Sequence, residues 1–483
     1  MKKILALSLT FLLAICSITF ISCGQKTARS SYEIECKLVD NLIEGKEKVT
    51  FYNNTENSFT SLKFNLFANA FREEAKYKPI ADQYYNRAYY SGESYGDMQI
   101  LKAYDQKEEL EFNVVGEDQN VLEVNLNKEI FPEESVTIFI EYTITLANVI
   151  ARTGIGENTI NLANFYPILC GINDGAFYEC VYYASGDPYF SDCADYLVTL
   201  SCSEEYIVAS SGEIKSSKVE DSIQVSTYKI DNARSFCMVL SKDFEILSDK
   251  VGDVEINYYF YNDSLATRSL QTAKKSMEYF QNTFGEYPYK KYSVVQTDFI
   301  QGGMEFPALV MISDDLEESA YNEVIVHETA HQWWQTAVGN NEIEYGFLDE
   351  GLTEYSVILF YENHPEYSLS REMLINQSEK TYKLFCSVYD KLFLKVDTSM
   401  LRSLKDFTSE YEYVNVAYIK PCIMFDNLRI TIGEEKFFAS LKDYYEEYKF
   451  KNATPDDLVS RFENRVGEVH KYFNSFFEGK EVI

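Results

Sequence analysis

Histidine and tryptophan are the scarce residues of this chain, with four of one and two of the other in 483 positions. Four histidines leave material for one histidine-built metal centre and little else. Positive charge is short as well: 44 Lys and Arg stand against 76 Asp and Glu, a formal net charge of −32. A chain this acidic is a poor binder of nucleic acid. Anionic lipid headgroups repel it, so lipid insertion would have to hold it at a membrane. No C-x-x-C pair occurs, which removes the common thiol signature of a metal or redox site. No repeat or low-complexity segment is visible. Beyond the N-terminal segment no run is apolar enough to span a bilayer.

The length allows two or more domains and a large core. Hydrophobic content of 46% and charged content of 25% place the chain among ordinary globular proteins. Tyr and Phe are abundant, at 39 and 33, whereas both tryptophans sit together at Trp333 and Trp334. Lys2 and Lys3 precede an apolar run from Ile4 to about Ile21, the charged and apolar parts of a signal peptide over residues 1–22. Phe20-Ile21-Ser22-Cys23-Gly24 resembles a bacterial lipobox, with Phe20 where Leu is usual. Cleavage before Cys23, lipidation of its thiol and a polar tether over 23–31 are expected; an uncleaved membrane anchor is the alternative. Either way the body is exported and tethered to the outer face of a bacterial membrane. Ten cysteines occur. Beyond Cys16 and Cys23 the remaining eight permit disulfides in an exported protein, with a bridge plausible among the five between 170 and 237, or free thiols in a cell living without oxygen.

From Tyr32 the pattern is β. Val136, Ile138, Ile140, Tyr142, Ile144 and Leu146 alternate with polar neighbours, a period of two with one face buried. Similar runs at 46–53, 60–66, 97–103, 109–114, 121–126, 195–201, 206–209, 222–229 and 235–240 predict an all-β sandwich or saddle over 32–246, with 72–96 as a long loop. The texture changes near Leu247. A strand at 254–261 is followed by apolar residues at helical spacing from Leu265 to Phe280, by strands at 292–296 and 304–312, and then by mostly helical sequence.

Two of the four histidines fall in His327-Glu328-Thr329-Ala330-His331. Residues four apart lie on one face of a helix, so both imidazoles can reach one metal ion and Glu328 a water beside it. Asp314 and Asp315 read as helix-start residues, and the helix should run roughly from Glu317 to Gln335. After eighteen intervening residues comes Glu350, in Phe347-Leu348-Asp349-Glu350-Gly351-Leu352-Thr353-Glu354-Tyr355, at the start of a second helix. Upstream stands Gln301-Gly302-Gly303-Met304-Glu305-Phe306-Pro307, with Glu305 twenty-two residues before His327.

These stretches resemble the gluzincin aminopeptidases, the family of aminopeptidase N and leukotriene hydrolase (peptidase family M1). Its pattern is H-E-x-x-H, eighteen residues, then Glu in an N/D-E-G stretch, with a G-x-M-E-N motif upstream. Here Phe306 stands in the Asn position. The resemblance covers 247–483 and implies an α+β thermolysin-like catalytic domain behind the β-domain. It implies one Zn2+ held by His327, His331 and Glu350, with Glu328 as the base that activates the zinc-bound water. Tyr418, in Tyr418-Ile419-Lys420-Pro421, matches the family's oxyanion-stabilising Tyr, with Pro421 in place of Gly. Glu305 would bind the free amine of a peptide substrate, and Gly302, Gly303 and Met304 would offer their backbone to it. Relatives add a Gln or Glu from the β-domain; residues 161–170 occupy roughly that region without a convincing match. Glu354, one turn after Glu350, could support a ligand. Trp333 and Trp334 should pack the metal helix into the core, and His364 and His470 read as surface residues. Many relatives carry a further helical domain. Its absence before Ile483 suggests a more open cleft. The expected activity is a zinc aminopeptidase acting on peptides outside the cytoplasm. A zinc endopeptidase with an open cleft and a non-catalytic binding protein on the same fold are the alternatives. The preferred N-terminal residue and the oligomeric state are not legible.

Overall fold

The structure, a computed structural model, describes residues 28–393 and 396–479. The signal peptide and Cys23 lie outside the described residues. Among the described ones no helix is long and apolar enough to cross a membrane.

The N-terminal half is built from sheets. The largest has seven strands, in the spatial order 213–220, 223–233, 194–203, 31–39, 42–52, 135–145 and 97–104. Its pairs are antiparallel except for 31–39 beside 194–203. Strand Ser31–Val39 shows why it forms: Tyr32, Ile34, Cys36 and Leu38 are buried, and Glu33, Glu35 and Lys37 between them face water. Its inner face shares one core with a four-stranded sheet formed by 168–169, 59–65, 121–130 and 112–115. A second four-stranded sheet, 207–210, 237–241, 160–163 and 153–155, completes the N-terminal half. Strand Glu213–Glu220 is absent from the sequence reading because all eight of its residues are exposed and no alternation marks it.

The next sheet has five strands, ordered 245–251, 254–260, 291–297, 309–313 and 303–304. The middle three run parallel, and helix Ala266–Thr283 makes the crossover that a parallel pair requires. The expected strand at 304–312 is broken. Pro307 offers no backbone donor and Ala308 sits at φ 58°, so Gly303–Met304 remains as a two-residue edge strand beside Leu309–Ser313.

Helix Glu318–Ala330 packs on this sheet and is tied to it by Tyr258–Tyr321 (2.7 Å) and Tyr292–Thr329 (2.8 Å) hydroxyl bonds. It is shorter than the spacing predicts. It begins without a side-chain cap, and Asp315 instead pairs with Arg87 at 3.0 Å. It ends at Ala330 with His331 as the capping residue. Beyond it both indoles are buried in different aromatic groups. Trp333 meets Phe280 and Tyr287, and Trp334 meets Phe284, Tyr444 and Tyr445. Gln335, at φ 124°, is incompatible with further helix. Helix Phe347–Asn363 follows, and 414–419 form a π-helical turn leading into helix Lys420–Ile432.

The halves are fastened by buried polar contacts. Asp298 accepts from the backbone N–H of Asn158 (2.5 Å) and Thr159 (2.8 Å). Arg234 donates to the carbonyls of Gln335 and Lys451, both at 2.6 Å. The eight described cysteines are buried free thiols.

Candidate metal centre and substrate cleft

His327 and His331 lie on consecutive turns at the end of one helix, and Glu350 opens the next. The three donor atoms form a near-equilateral triangle. The two Nε2 atoms are 3.0 Å apart, and Glu350 Oε2 lies 3.1 Å from His331 Nε2 and 3.3 Å from His327 Nε2. The far side of each ring is occupied. His327 Nδ1 is 3.1 Å from Glu354 Oε2, and His331 Nδ1 is 3.0 Å from the Trp334 carbonyl and 3.1 Å from the Thr353 hydroxyl. An N–H at each Nδ1 leaves the Nε2 lone pairs and the carboxylate converging on one point.

That donor set fits a tetrahedral ion. Legs of about 2.05 Å give donor separations of about 3.3 Å. Electrostatics agree. Burial alone would raise the Glu350 carboxyl, but the two imidazoles hold it below the usual carboxylate range. Burial would lower His331, yet Glu305 and Glu350 push it up to about 10. The pocket thus favours added positive charge, supplied by protons on the rings when no metal is bound.

Glu328 is buried beside the triangle, one of its oxygens without a partner. Gly303 lies against it: a Cβ there would run into the Glu328 carboxylate. The edge strand can therefore pass close to this acid only as glycine. Glu305 follows that strand, is 3% exposed, and has a carboxylate oxygen within 4.8 Å of ligand atoms of Glu328 and His331. All of these except Met304 line one cleft of about 520 Å³, with Gly302, Val324, Glu354 and Tyr418. Met304 is buried behind the edge.

Residues 268–479 match the Peptidase family M1 domain. Aminopeptidase M1-A of Oryza sativa subsp. japonica is 26% identical over 214 residues, 41% of this chain and 24% of that protein. Endoplasmic reticulum aminopeptidase 2 of Homo sapiens is 26% identical over 263 residues, 51% of this chain and 26% of that protein. The chain thus spans about a quarter of the length of these curated relatives. The fold extends further. The M1 zinc metallopeptidase of Deinococcus radiodurans superposes with a TM-score of 0.66 at 14% identity, covering 94% of this chain and 96% of that one. A variant of it bound to a Tyr-ser-ala substrate superposes at 0.65, also at 14% identity, with the same coverage.

Around the site two features escape the sequence reading. Asp187, from the β-half, enters the cleft with Arg152, whose Nη2 donates to it at 2.5 Å and whose Nε lies 3.0 Å from Met304 Sδ. Burial raises the Asp187 carboxyl to about 7; Arg152 opposes this, and Glu305 and Glu350 add to it. Gly186-Asp187-Pro188 reads as a turn, so nothing singled it out. None of 161–170 lines the main cleft; Asn161 instead binds the carbonyls of Ala151 and Asp298. The second feature is how Tyr418 is placed. Its hydroxyl donates to Glu350 Oε1 at 2.5 Å from the π-helical turn. Pro421 stands directly after the π-helical turn, at the second position of helix Lys420–Ile432, and packs against Gly351, where a Cβ would come within 2.7 Å of Pro421 Cγ. His364 stands away from the cleft, stacked on Phe360.

Proposed function

We propose that this chain is a zinc aminopeptidase that removes N-terminal residues from peptides, with His327, His331 and Glu350 as the zinc ligands. The observation that carries the reading is the acidic end of the cleft. Glu305 stands within 4.8 Å of His331 and Glu328, and Asp187 lines the same space. Two carboxylates there suit a substrate ammonium and leave an internal peptide, which has no such charge, without a partner. The aminopeptidases among the relatives support this reading, and the Tyr-ser-ala complex supports a peptide substrate.

Zinc, when bound, supplies a Lewis acid that polarises the scissile carbonyl and acidifies water. The remaining work belongs to the chain. The free edge of Gly303–Met304 pairs with the extended substrate backbone. Glu328 takes the proton from the attacking water and delivers it to the leaving amine. Tyr418 turns its O–H from Glu350 to the oxyanion of the tetrahedral adduct. Glu354 and the Trp334 carbonyl hold the imidazole tautomers. Arg152 fixes Asp187.

The test is turnover of aminoacyl amides with free amines against the same peptides acetylated and carrying a quenched internal bond, before chelation, after it and with zinc restored. Zinc-dependent turnover of the free-amine set alone is expected. Turnover of the blocked set would make the enzyme an endopeptidase, and silence on both would leave a binding protein. Asp187→Asn should raise KM for the free-amine set by about tenfold or more, the loss of one charge-assisted contact.

The body is proposed to be exported and held at the outer face of a bacterial membrane through lipid on Cys23. Mass spectrometry of the mature N-terminus reads this directly; an unprocessed Met1 would refute it.

A further inference from the structure

Behind Glu305, away from the substrate cleft, lies a second group of acids. Glu305, Glu342 and Asp349 come from three separate segments: the loop after the edge strand, the short helix Glu342–Tyr345, and the first turn of helix Phe347–Asn363. One carboxylate oxygen from each lies within 4.8 Å of the other two, and the residues are 3%, 4% and 2% exposed. Among the described residues no Lys or Arg pairs with any of them. The neutral contacts are few. Gln335 Nε2 donates to Glu342 Oε1 at 2.9 Å, and Asn340 Nδ2 to Asp349 Oδ1 at 3.2 Å. Glu305 Oε1 and Glu342 Oε2 are buried without any hydrogen-bond partner. Both residues, with Gln335, Asn340 and Arg234, line a void of about 20 Å³, with Asp349 beside it; the Arg234 guanidinium donates to the carbonyls of Gln335, Ser191 and Lys451 and pairs with none of the acids.

Each observation narrows the occupant. A void of this size holds one water or one ion and nothing larger. Three buried carboxylates without a basic partner carry a cost that water alone does not relieve, because water satisfies hydrogen bonds and leaves the charge. The donors are all oxygen, with neither imidazole nor thiolate, which is the preference of a hard cation of the calcium class rather than of zinc. We propose that Glu305, Glu342 and Asp349 bind a single hard divalent cation, distinct from the ion at His327, His331 and Glu350. The site goes beyond the aminopeptidase reading and stands without it. If that reading also holds, the ion fixes the Glu305 carboxylate from behind while its front faces the substrate.

The experiment uses the full chain with one zinc per molecule and Ca2+ as the probe. Equilibrium dialysis with radioactive calcium and elemental analysis should find one further divalent ion per chain, and millimolar Ca2+ should raise the melting temperature by several degrees. Glu342→Gln, which keeps the contact with Gln335, should retain one zinc and lose both the second ion and the calcium-dependent rise. Zinc as the sole ion, or a melting temperature unmoved by Ca2+, would overturn the proposal; the acids would then share protons. A calcium effect that survives in Glu342→Gln would overturn it too, because the ion would bind elsewhere. If Glu342→Gln fails to fold, wild-type crystals soaked in Mn2+ decide at the manganese edge. A peak among the three carboxylates supports the site and its absence refutes it. These readouts do not require turnover, so failure of the aminopeptidase reading stays distinguishable.

Discussion

Glu328 and His327 are neighbours in sequence, yet they face different tasks because one points its lone pair at the donor triangle and the other its carboxylate at the edge strand. Removing the acid's proton-carrying ability while keeping its shape separates the two. Glu328→Gln should lower kcat about 100- to 10,000-fold, the usual weight of a positioned general base, with one zinc still bound per chain by elemental analysis. Loss of zinc together with activity would mean that Glu328 serves the metal rather than the proton. The contrast with Glu47 shows how surroundings decide the role of a carboxylate. Glu47 is fully buried in the β-half, and neither oxygen has a partner. Burial raises its pKa well above the ordinary 4.5. The folded state therefore holds a proton that the unfolded state releases. Its contribution to stability is complete below pH 4.5 and is lost as pH rises above that value. Glu47→Gln should remove this loss. Urea titrations should show the variant gaining on the wild type from pH 5 to pH 8, by up to about 1.4 kcal/mol per pH unit, the linkage of the one proton that the folded wild type retains. A constant difference across that range would assign the effect to packing.

Helix Phe347–Asn363 and the π-helical turn 414–419 show how elements fix a single hydroxyl. Tyr418 meets Glu350 because helix Lys420–Ile432 comes close at Gly351, where Pro421 fills the space that a side chain would take. Gly351→Ala should push the two helices apart, cost about 1–3 kcal/mol in overpacking, and lower kcat by moving Tyr418. Pro421→Gly in the same chain should restore much of the activity, measured as kcat in the single and double variants. If the double variant is as slow as Gly351→Ala, the fault lies in Gly351 itself. The Pro in the expected Gly position thus finds its reason in the glycine seventy residues earlier. That partnership was not legible, since neither residue signals the other along the chain. The H-E-x-x-H helix was legible as to its existence and its face. Its end was not, because the two tryptophans that stop it are drawn into aromatic groups contributed by Phe280 and Phe284, at and just beyond the end of helix 266–283, and by helix 434–448.

At the scale of the molecule, the segment 72–96 crosses from the β-half over the cleft mouth. Arg87 is anchored on the Phe299 carbonyl at 3.1 Å and on Asp315. Gln83 and Tyr84 both meet Glu410 on the opposite wall, the tyrosine hydroxyl at 3.3 Å. The cleft is therefore bridged by a segment of the β-half itself. Glu410→Ala should release this bridge and raise kcat/KM for peptides of ten or so residues relative to dipeptide amides, compared by competition in one mixture; an unchanged ratio would mean that the bridge does not limit length. The sequence alone determined the features that obey local periodicity or fixed spacing: the alternating strands, the helix with two histidines four apart, and the carboxylate of Glu350 in the first turn of a later helix. Those follow from backbone geometry, which repeats whatever surrounds it. Tertiary structure alone decided that Asp187 joins Glu305, that Pro421 rests on Gly351, that segment 72–96 bridges the cleft, and that Glu342 and Asp349 stand behind Glu305. Each brings together segments far apart in the chain, and such meetings depend on how whole sheets and helices pack, for which a linear order of residues carries no period to read.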